Sequence, residues 1–217
     1  TSAGTLDKKS TDSEYSQEVQ NLEKLCKVWG YTKYTHPAFL LGKKDWDEEL
    51  LKLIPVVSEA KAKEVNDILH KWFVSLGEID YGTSRKKTLP PEEERIVQAD
   101  TSWISDKKYL GTKLIEDFAQ IGEIPSVNRN QAPVSFKANG VPQFVKEERY
   151  QEMDYKDLSY RLLGLFQLWN AVEYYSPYLD IMDKNWELLL PDYIQKMINV
   201  DDKTGYELTI LSLAVKM

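Results

Sequence analysis

Residues 22–54 align on residues 162–194 without a gap, and this internal match constrains the fold more than any other feature of the chain. The identical pairs are Leu22/Leu162, Leu25/Leu165, Trp29/Trp169, Tyr34/Tyr174, Pro37/Pro177, Lys44/Lys184, Trp46/Trp186, Leu50/Leu190 and Ile54/Ile194. Ordinary residue frequencies give about two identities over such a length. The shared pattern is a helix ending in aromatic-x-x-Pro, a short loop, and a second helix capped by Asp45 or Asn185 with a tryptophan at its first position. One indole near the end of the first helix and one opening the second can pack in the angle between them. Each unit is therefore expected to be a helix-loop-helix stapled by aromatics, with a third helix following at 61–76 or from Thr204 onward.

The apolar periodicity supports this reading along the chain. Val19, Leu22, Leu25, Cys26, Val28 and Trp29 fit one face of a helix over about 13–35. Pro37 disfavours helical geometry at His36 and lacks a backbone donor, so that helix is expected to stop there. After the loop "PAFLLGKK", Asp45 can cap a new helix and Glu48 can complete a capping box. Val65, Ile68, Leu69, Trp72, Phe73 and Leu76 mark the clearest amphipathic helix, with Gly77 placed to end it. "TSRKKTLPPEEER" reads as an exposed connector, followed by a helix from near Ser105 that buries Tyr109, Leu110, Leu114, Phe118 and Ile121. Asn139-Gly140 between short alternating segments signals a two-residue hairpin turn, with Pro142 confining the second strand to an edge. Three helices follow, from Asp157, Asn185 and Thr204.

The expected class is mainly α: two related helix-loop-helix units joined by a connector with a small β-hairpin. The boundaries read as a polar lead-in at 1–12, a first unit at 13–79, the connector at 80–156 and a second unit at 157–217. A chain of 217 residues is long enough to bury a substantial apolar core. Its net charge of −7 is dispersed, which argues against nucleic acid or an anionic membrane as partner. Cys26 is the sole cysteine, so an internal disulfide framework and a thiolate metal cluster are both excluded. The apolar pattern of "ELTILSLAVKM" runs to the last residue with no stop signal, and reads as a cut inside a larger protein.

Few residues invite chemistry. His36 and Cys26 lie ten residues apart, about 15 Å along a helix, too far for a nucleophile and its base. His36 aligns with Ser176 rather than with a second histidine, and reads as a polar helix end. His70 falls off the apolar stripe of its helix and is expected to be solvated. Asp45 and Asp47 read as charges at a helix start, and Glu92, Glu93 and Glu94 as a solvated loop. Ser176 has neither a glycine-rich nucleophile elbow nor a paired base. No phosphate-binding glycine loop or histidine pair for zinc occurs, so no catalytic residue, cofactor or metal is assigned. The aromatics read mainly as core, with Tyr31, Tyr34, Tyr174 and Tyr178 as a possible solvent-facing strip between the two units.

Several segments, in order, resemble one family. "LCKVWGYTKYTHPAFLLGKKDWDEELLKLIPVV", "WFVSLGEI", "DTSWISDKKYLG" and "RLLGLFQLWNAVEYYSPYLDIMDKNWELLLPDYIQKM" are similar to the region preceding the catalytic core in large bacterial serine peptidases of the C-terminal-processing and tricorn-core family, particularly the secreted Bacteroidetes type. The resemblance runs from about Leu22 to Met217. It implies a periplasmic, cell-surface or secreted endopeptidase acting on protein or peptide, with a PDZ-like module and a catalytic α/β domain downstream. The family's nucleophilic serine lies in that downstream domain, so none of its catalytic residues maps onto this chain. The function expected is a non-catalytic helical region that packs against or gates those domains. The alternative is an autonomous module taking peptide or glycan in a groove between the two units.

Overall fold

The computed structural model describes residues 14–82, 99–179, 182 and 185–217. The lead-in at 1–12, most of the proline-rich connector with Glu92, Glu93 and Glu94, and the Lys184 member of the Lys44/Lys184 pair lie outside the described residues. Within them the order is α1 (Gln17–Thr35), α2 (Pro37–Leu40), α3 (Trp46–Ser58), α4 (Ala62–Ser75), a 3₁₀ turn (Ser102–Ser105), α5 (Lys107–Ala119), β1 (Ser135–Phe136), β2 (Pro142–Gln143), α6 (Leu158–Tyr175), α7 (Trp186–Asn199) and α8 (Lys203–Ala214). The protein is mainly α with one small antiparallel hairpin, as the periodicity predicts.

The helix starts follow from capping chemistry. Asp45 Oδ1 accepts from the Asp47 and Glu48 amides, both at 2.9 Å, and Asn185 accepts from Glu187 at 3.0 Å. The capping box expected at Asp45 is not completed, because Glu48 turns outward to pair with Lys52 at 2.9 Å, one helical turn on. A box-like reach does occur in α4, where the Glu64 carboxylate accepts from the Lys61 amide at 3.2 Å. The helix expected near Ser105 begins instead at Lys107 with Asp106 as its cap, since residues 102–105 are spent on the 3₁₀ turn. His36 ends α1 and at once caps α2: its Nδ1 accepts from the Ala38 amide at 3.0 Å. Pro37 fits the first position of α2, where no backbone donor is required. The segment expected to be a loop thus holds one further helical turn.

At the hairpin, Ser135 pairs with Gln143 and Phe136 with Pro142. The Lys137 amide bonds the Val141 carbonyl at 3.0 Å and the Gly140 amide bonds the Lys137 carbonyl at 2.9 Å. Three residues therefore close the loop rather than two. Gly140, at φ 78°, takes the left-handed position that this wider turn demands.

α1 packs against α3, α4, α6 and α7. Every residue from 28 to 35 is consequently buried, including Thr32, Lys33 and Thr35, where one apolar face was expected. At Gly30 it lies close against α6. A Cβ built on Gly30 would stand 1.9 Å from Asn170 Oδ1, so only glycine lets the helices meet there. Asn170 uses this proximity: its amide donates to the Cys26 carbonyl at 3.2 Å and to the Phe166 carbonyl at 2.9 Å.

The indoles expected to staple each helix pair do so. Trp29 Nε1 donates to the Trp46 carbonyl at 2.8 Å, joining α1 to α3. Trp169 Nε1 donates to the Trp186 carbonyl at 3.2 Å and Trp186 Nε1 answers at 3.0 Å to the Trp169 carbonyl, joining α6 to α7. A buried indole nitrogen needs such an acceptor: the first turn of the following helix supplies it for Trp29 and Trp169, and α6 supplies it for Trp186.

Candidate functional site

The tyrosines expected to form a solvent-facing strip do not form one. Tyr31, Tyr34 and Tyr174 are buried, and only Tyr178 is open, at 59% exposure. The reason is aromatic packing between α1 and its neighbours. Tyr34 meets Tyr174 and Tyr175 edge-on with ring centroids 5.4 and 5.0 Å apart, and Tyr31 meets Phe118 at 5.0 Å. The space between the two helix pairs is thus filled with core.

The two histidines and the cysteine are also structural. His36 is fully buried, edge-to-face with Phe73, and burial together with Lys43 pushes its pKa down to about 4. With Nδ1 accepting from Ala38, the neutral ring carries its proton on Nε2, which has no hydrogen-bond partner. His70, expected in solvent, instead places Nδ1 2.6 Å from Asp117 Oδ2 and ties α4 to α5. Burial pushes the Cys26 thiol up, away from the thiolate a nucleophile needs. Ser176 caps the end of α6, and its Oγ accepts from the Tyr178 amide at 3.3 Å.

What the structure does assemble is a polar cluster where α1, α3, α6 and the segment at 147–150 meet. Lys33 is 0% exposed, with its ammonium against the Glu147 carboxylate and 4.8 Å from the centre of the Trp29 ring. The Tyr34 and Trp46 rings lie at 5.3 and 5.8 Å, so three aromatic faces surround the charge. Gln167 Nε2 bridges two carboxylates, donating to Glu147 Oε2 at 3.2 Å and to Asp47 Oδ2 at 3.1 Å. Tyr150 adds its hydroxyl to Asp47 Oδ2 at 2.9 Å. Tyr150 is itself held at φ 42°, a left-handed geometry uncommon for a bulky residue.

Electrostatics single out Asp47. Burial raises its pKa to about 6 against the opposing pull of Lys33, so its proton is exchangeable close to neutral pH. Its Oδ1 is buried without a partner. A cavity of about 340 Å³ is lined by Asp47 together with Trp46, Glu148 and Tyr150. Glu148 and Tyr150 also border a second hollow of about 810 Å³, where Glu147, Glu152 and Asp154 outnumber Arg149. The arrangement can hold a proton at Asp47 near neutral pH. Its hydroxyl, the Tyr150 phenol, is pushed up by burial and by Asp47, which makes it a hydrogen-bond donor rather than a nucleophile.

A second buried acid, Glu173, lies in "WNAVEYY" of α6, and burial and Glu187 raise its pKa to about 7. Lys27 stands 3.6 Å from Glu187 and 5.5 Å from the centre of the Trp103 ring. Among the described residues no three His, Cys, Asp or Glu side chains converge as a metal site requires, and no helix is long and apolar enough to cross a membrane.

Asp47 stood in the sequence as a charge favoured by a helix start, and that is half its position: it is the second residue of α3, yet 3% exposed. Lys33 follows Trp29 by four residues, one turn on the same helix face, a signal that an apolar surface lies under it. Glu147, Tyr150 and Gln167 carried no such signal. Comparison with protein-family models, with curated proteins and with solved structures finds no match to this chain.

Proposed function

We propose that the chain is a non-catalytic helical region of a secreted or periplasmic serine endopeptidase, which packs against or gates the PDZ-like and catalytic domains that follow it. The ordered motif series supports this reading, and so does the use to which its residues are put. Trp29, Trp46, Trp169 and Trp186 staple helices together, His36 caps them, and Tyr34 and Tyr174 fill the core. The motifs specify a scaffold.

The observation that carries the docking part is on α8 and its C-cap residue Val215. Leu208, Leu211 and Val215 are exposed at 60, 58 and 74%. Their spacing of three and four residues places them on one helical stripe. An apolar stripe left open to water is an interaction surface waiting for a cover. In this reading the cover is the downstream domain of the same protein. Hydrogen exchange along α8 tests it, comparing this chain with the complete gene product. Slower exchange of α8 amides in the complete product is expected, and equal exchange in both would refute the docking role.

A further inference from the structure

The chain between β2 and α6, residues 144–157, forms a strap whose own backbone bonds are local turns. The Glu147 amide bonds the Phe144 carbonyl, Met153 the Tyr150 carbonyl and Asp157 the Asp154 carbonyl. Both ends of the strap are fixed on α6: the Phe144 ring meets Tyr175 with centroids 5.7 Å apart, and the Tyr155 carbonyl accepts from Arg161 at 2.7 Å. Its middle is attached by polar groups instead. Glu147 lies against the buried Lys33 of α1, and the Tyr150 hydroxyl donates to Asp47 of α3 at 2.9 Å. The φ of 42° at Tyr150 is a strained conformation that persists only while its surroundings hold it.

The charges at this middle attachment balance in only one protonation state. Asp47 and Glu147 are so close that Gln167 Nε2 donates to both, at 3.1 and 3.2 Å. Asp47 faces Lys33 and the Tyr34 phenol from α1, Glu147 and the Tyr150 phenol from the strap, and the neutral Gln167 from α6. Lys44 and Asp45 from the head of α3 and Lys146 and Glu148 from the strap line the adjoining cleft, two of each sign, and their charges offset one another. With Asp47 protonated, Lys33 and Glu147 neutralise each other. With Asp47 ionised, one buried ammonium answers two carboxylates, and the strap carries one of the two.

We propose that residues 144–157 are a pH-responsive strap, locked onto α1 and α3 while Asp47 holds its proton and released at its middle when that proton leaves. The inference concerns a motion within the chain and does not depend on the scaffold role. Asp47 lies in the first turn of α3 and borders the cleft, so withdrawal of Glu147 and Tyr150 opens it to water. In the open state its pKa returns towards the ordinary value near 4, whereas in the closed state burial holds it at about 6. The closed state binds the proton more tightly. Closure is therefore favoured in full below pH 4 and weakens as pH rises through 6. The strain at Tyr150 acts in the direction of release.

Native-state hydrogen exchange of the chain, with rates corrected for the intrinsic effect of pH, reads the opening equilibrium amide by amide. The Glu147 and Met153 amides should open about tenfold more at pH 7 than at pH 5, while the amides of α1 stay better protected at both. Asp47→Asn should abolish the rise. Glu173→Gln, which removes the other buried acid of raised pKa, should leave it intact. If Asp47→Asn does not fold, the wild-type chain decides: the rise should level off at the pH where 13C titration of the Asp47 carboxyl has its midpoint. Equal opening of the strap at pH 5 and 7, a rise that survives Asp47→Asn, a rise unrelated to the Asp47 midpoint, or strap and α1 amides that open together would each overturn the proposal.

Discussion

Replacing Gly30 by alanine sets two physical expectations against each other. By helix propensity alone, the change in the middle of α1 stabilises the protein by about 1 kcal/mol. The structure gives the opposite sign, because the new methyl would lie 1.9 Å from Asn170 Oδ1. Asn170 must swing away, losing its bonds to the Cys26 and Phe166 carbonyls. Each buried bond contributes about 1 kcal/mol, and forcing α1 and α6 apart adds about 1–3 kcal/mol of strain. Set against the propensity gain, Gly30→Ala should destabilise by about 2–4 kcal/mol. For a chain of this size that is a fall in Tm of roughly 5–15 °C. Urea unfolding followed by tryptophan fluorescence measures it. The double variant Gly30→Ala with Asn170→Gly should recover much of the loss specific to Gly30→Ala, because the clash has no second partner. A Gly30→Ala protein as stable as the parent, or more so, would refute the close helix contact on which the core is built.

Other residues give independent expectations. Asp47 and Glu173 have pKa values raised to about 6 and about 7, so the stabilisation by their protonated forms is complete below their ordinary values near 4 and is lost as pH rises through 6 and 7. Asp47→Asn with Glu173→Gln should flatten the decline of the unfolding free energy, measured by urea titration, between pH 4 and 7, by up to about 3 kcal/mol per group; an unchanged slope would count against their burial. His36 acts in the other direction: its pKa is depressed to about 4, so its contribution is present above pH 6.5 and is lost as pH falls through 4. His36→Asn, which keeps a cap for Ala38, should therefore soften acid unfolding, and an acid transition at the same pH would contradict this. Lys33→Ala strands Glu147 and should cost about 3–5 kcal/mol, whereas Lys33→Met with Glu147→Gln should cost less, as measured by chemical denaturation. Trp29→Phe removes the donor to the Trp46 carbonyl and should cost about 1–3 kcal/mol by the same assay.

The helices were legible because their signals are local. Asp45, Asp157 and Asn185 mark helix starts, and each side chain accepts from a backbone amide of the first turn. Pro37 marks the end of α1 for the steric reason it always does. Tryptophan pairing across each helix-loop-helix was readable because an indole needs both an apolar pocket and an acceptor. The hairpin loop is one residue longer than Asn139-Gly140 signals, since Asn-Gly favours left-handed geometry without fixing the loop length. The polar cluster escaped because it is assembled from far apart in sequence: Lys33 and Glu147, Asp47 and Gln167. No periodicity shows that a lysine one turn beyond Trp29 will be enclosed by the segment at 147–150. The tyrosine strip failed for a related reason, as aromatic-rich helix ends describe a buried junction as well as a binding groove.

The most direct test of the proposed role is hydrolysis of denatured casein by two proteins: this 217-residue chain and the complete gene product, each with and without a fluorophosphonate that traps active serines. The account predicts no hydrolysis by the chain alone and fluorophosphonate-sensitive hydrolysis by the complete product. Hydrolysis by the isolated chain, or its absence from the complete product, would contradict it.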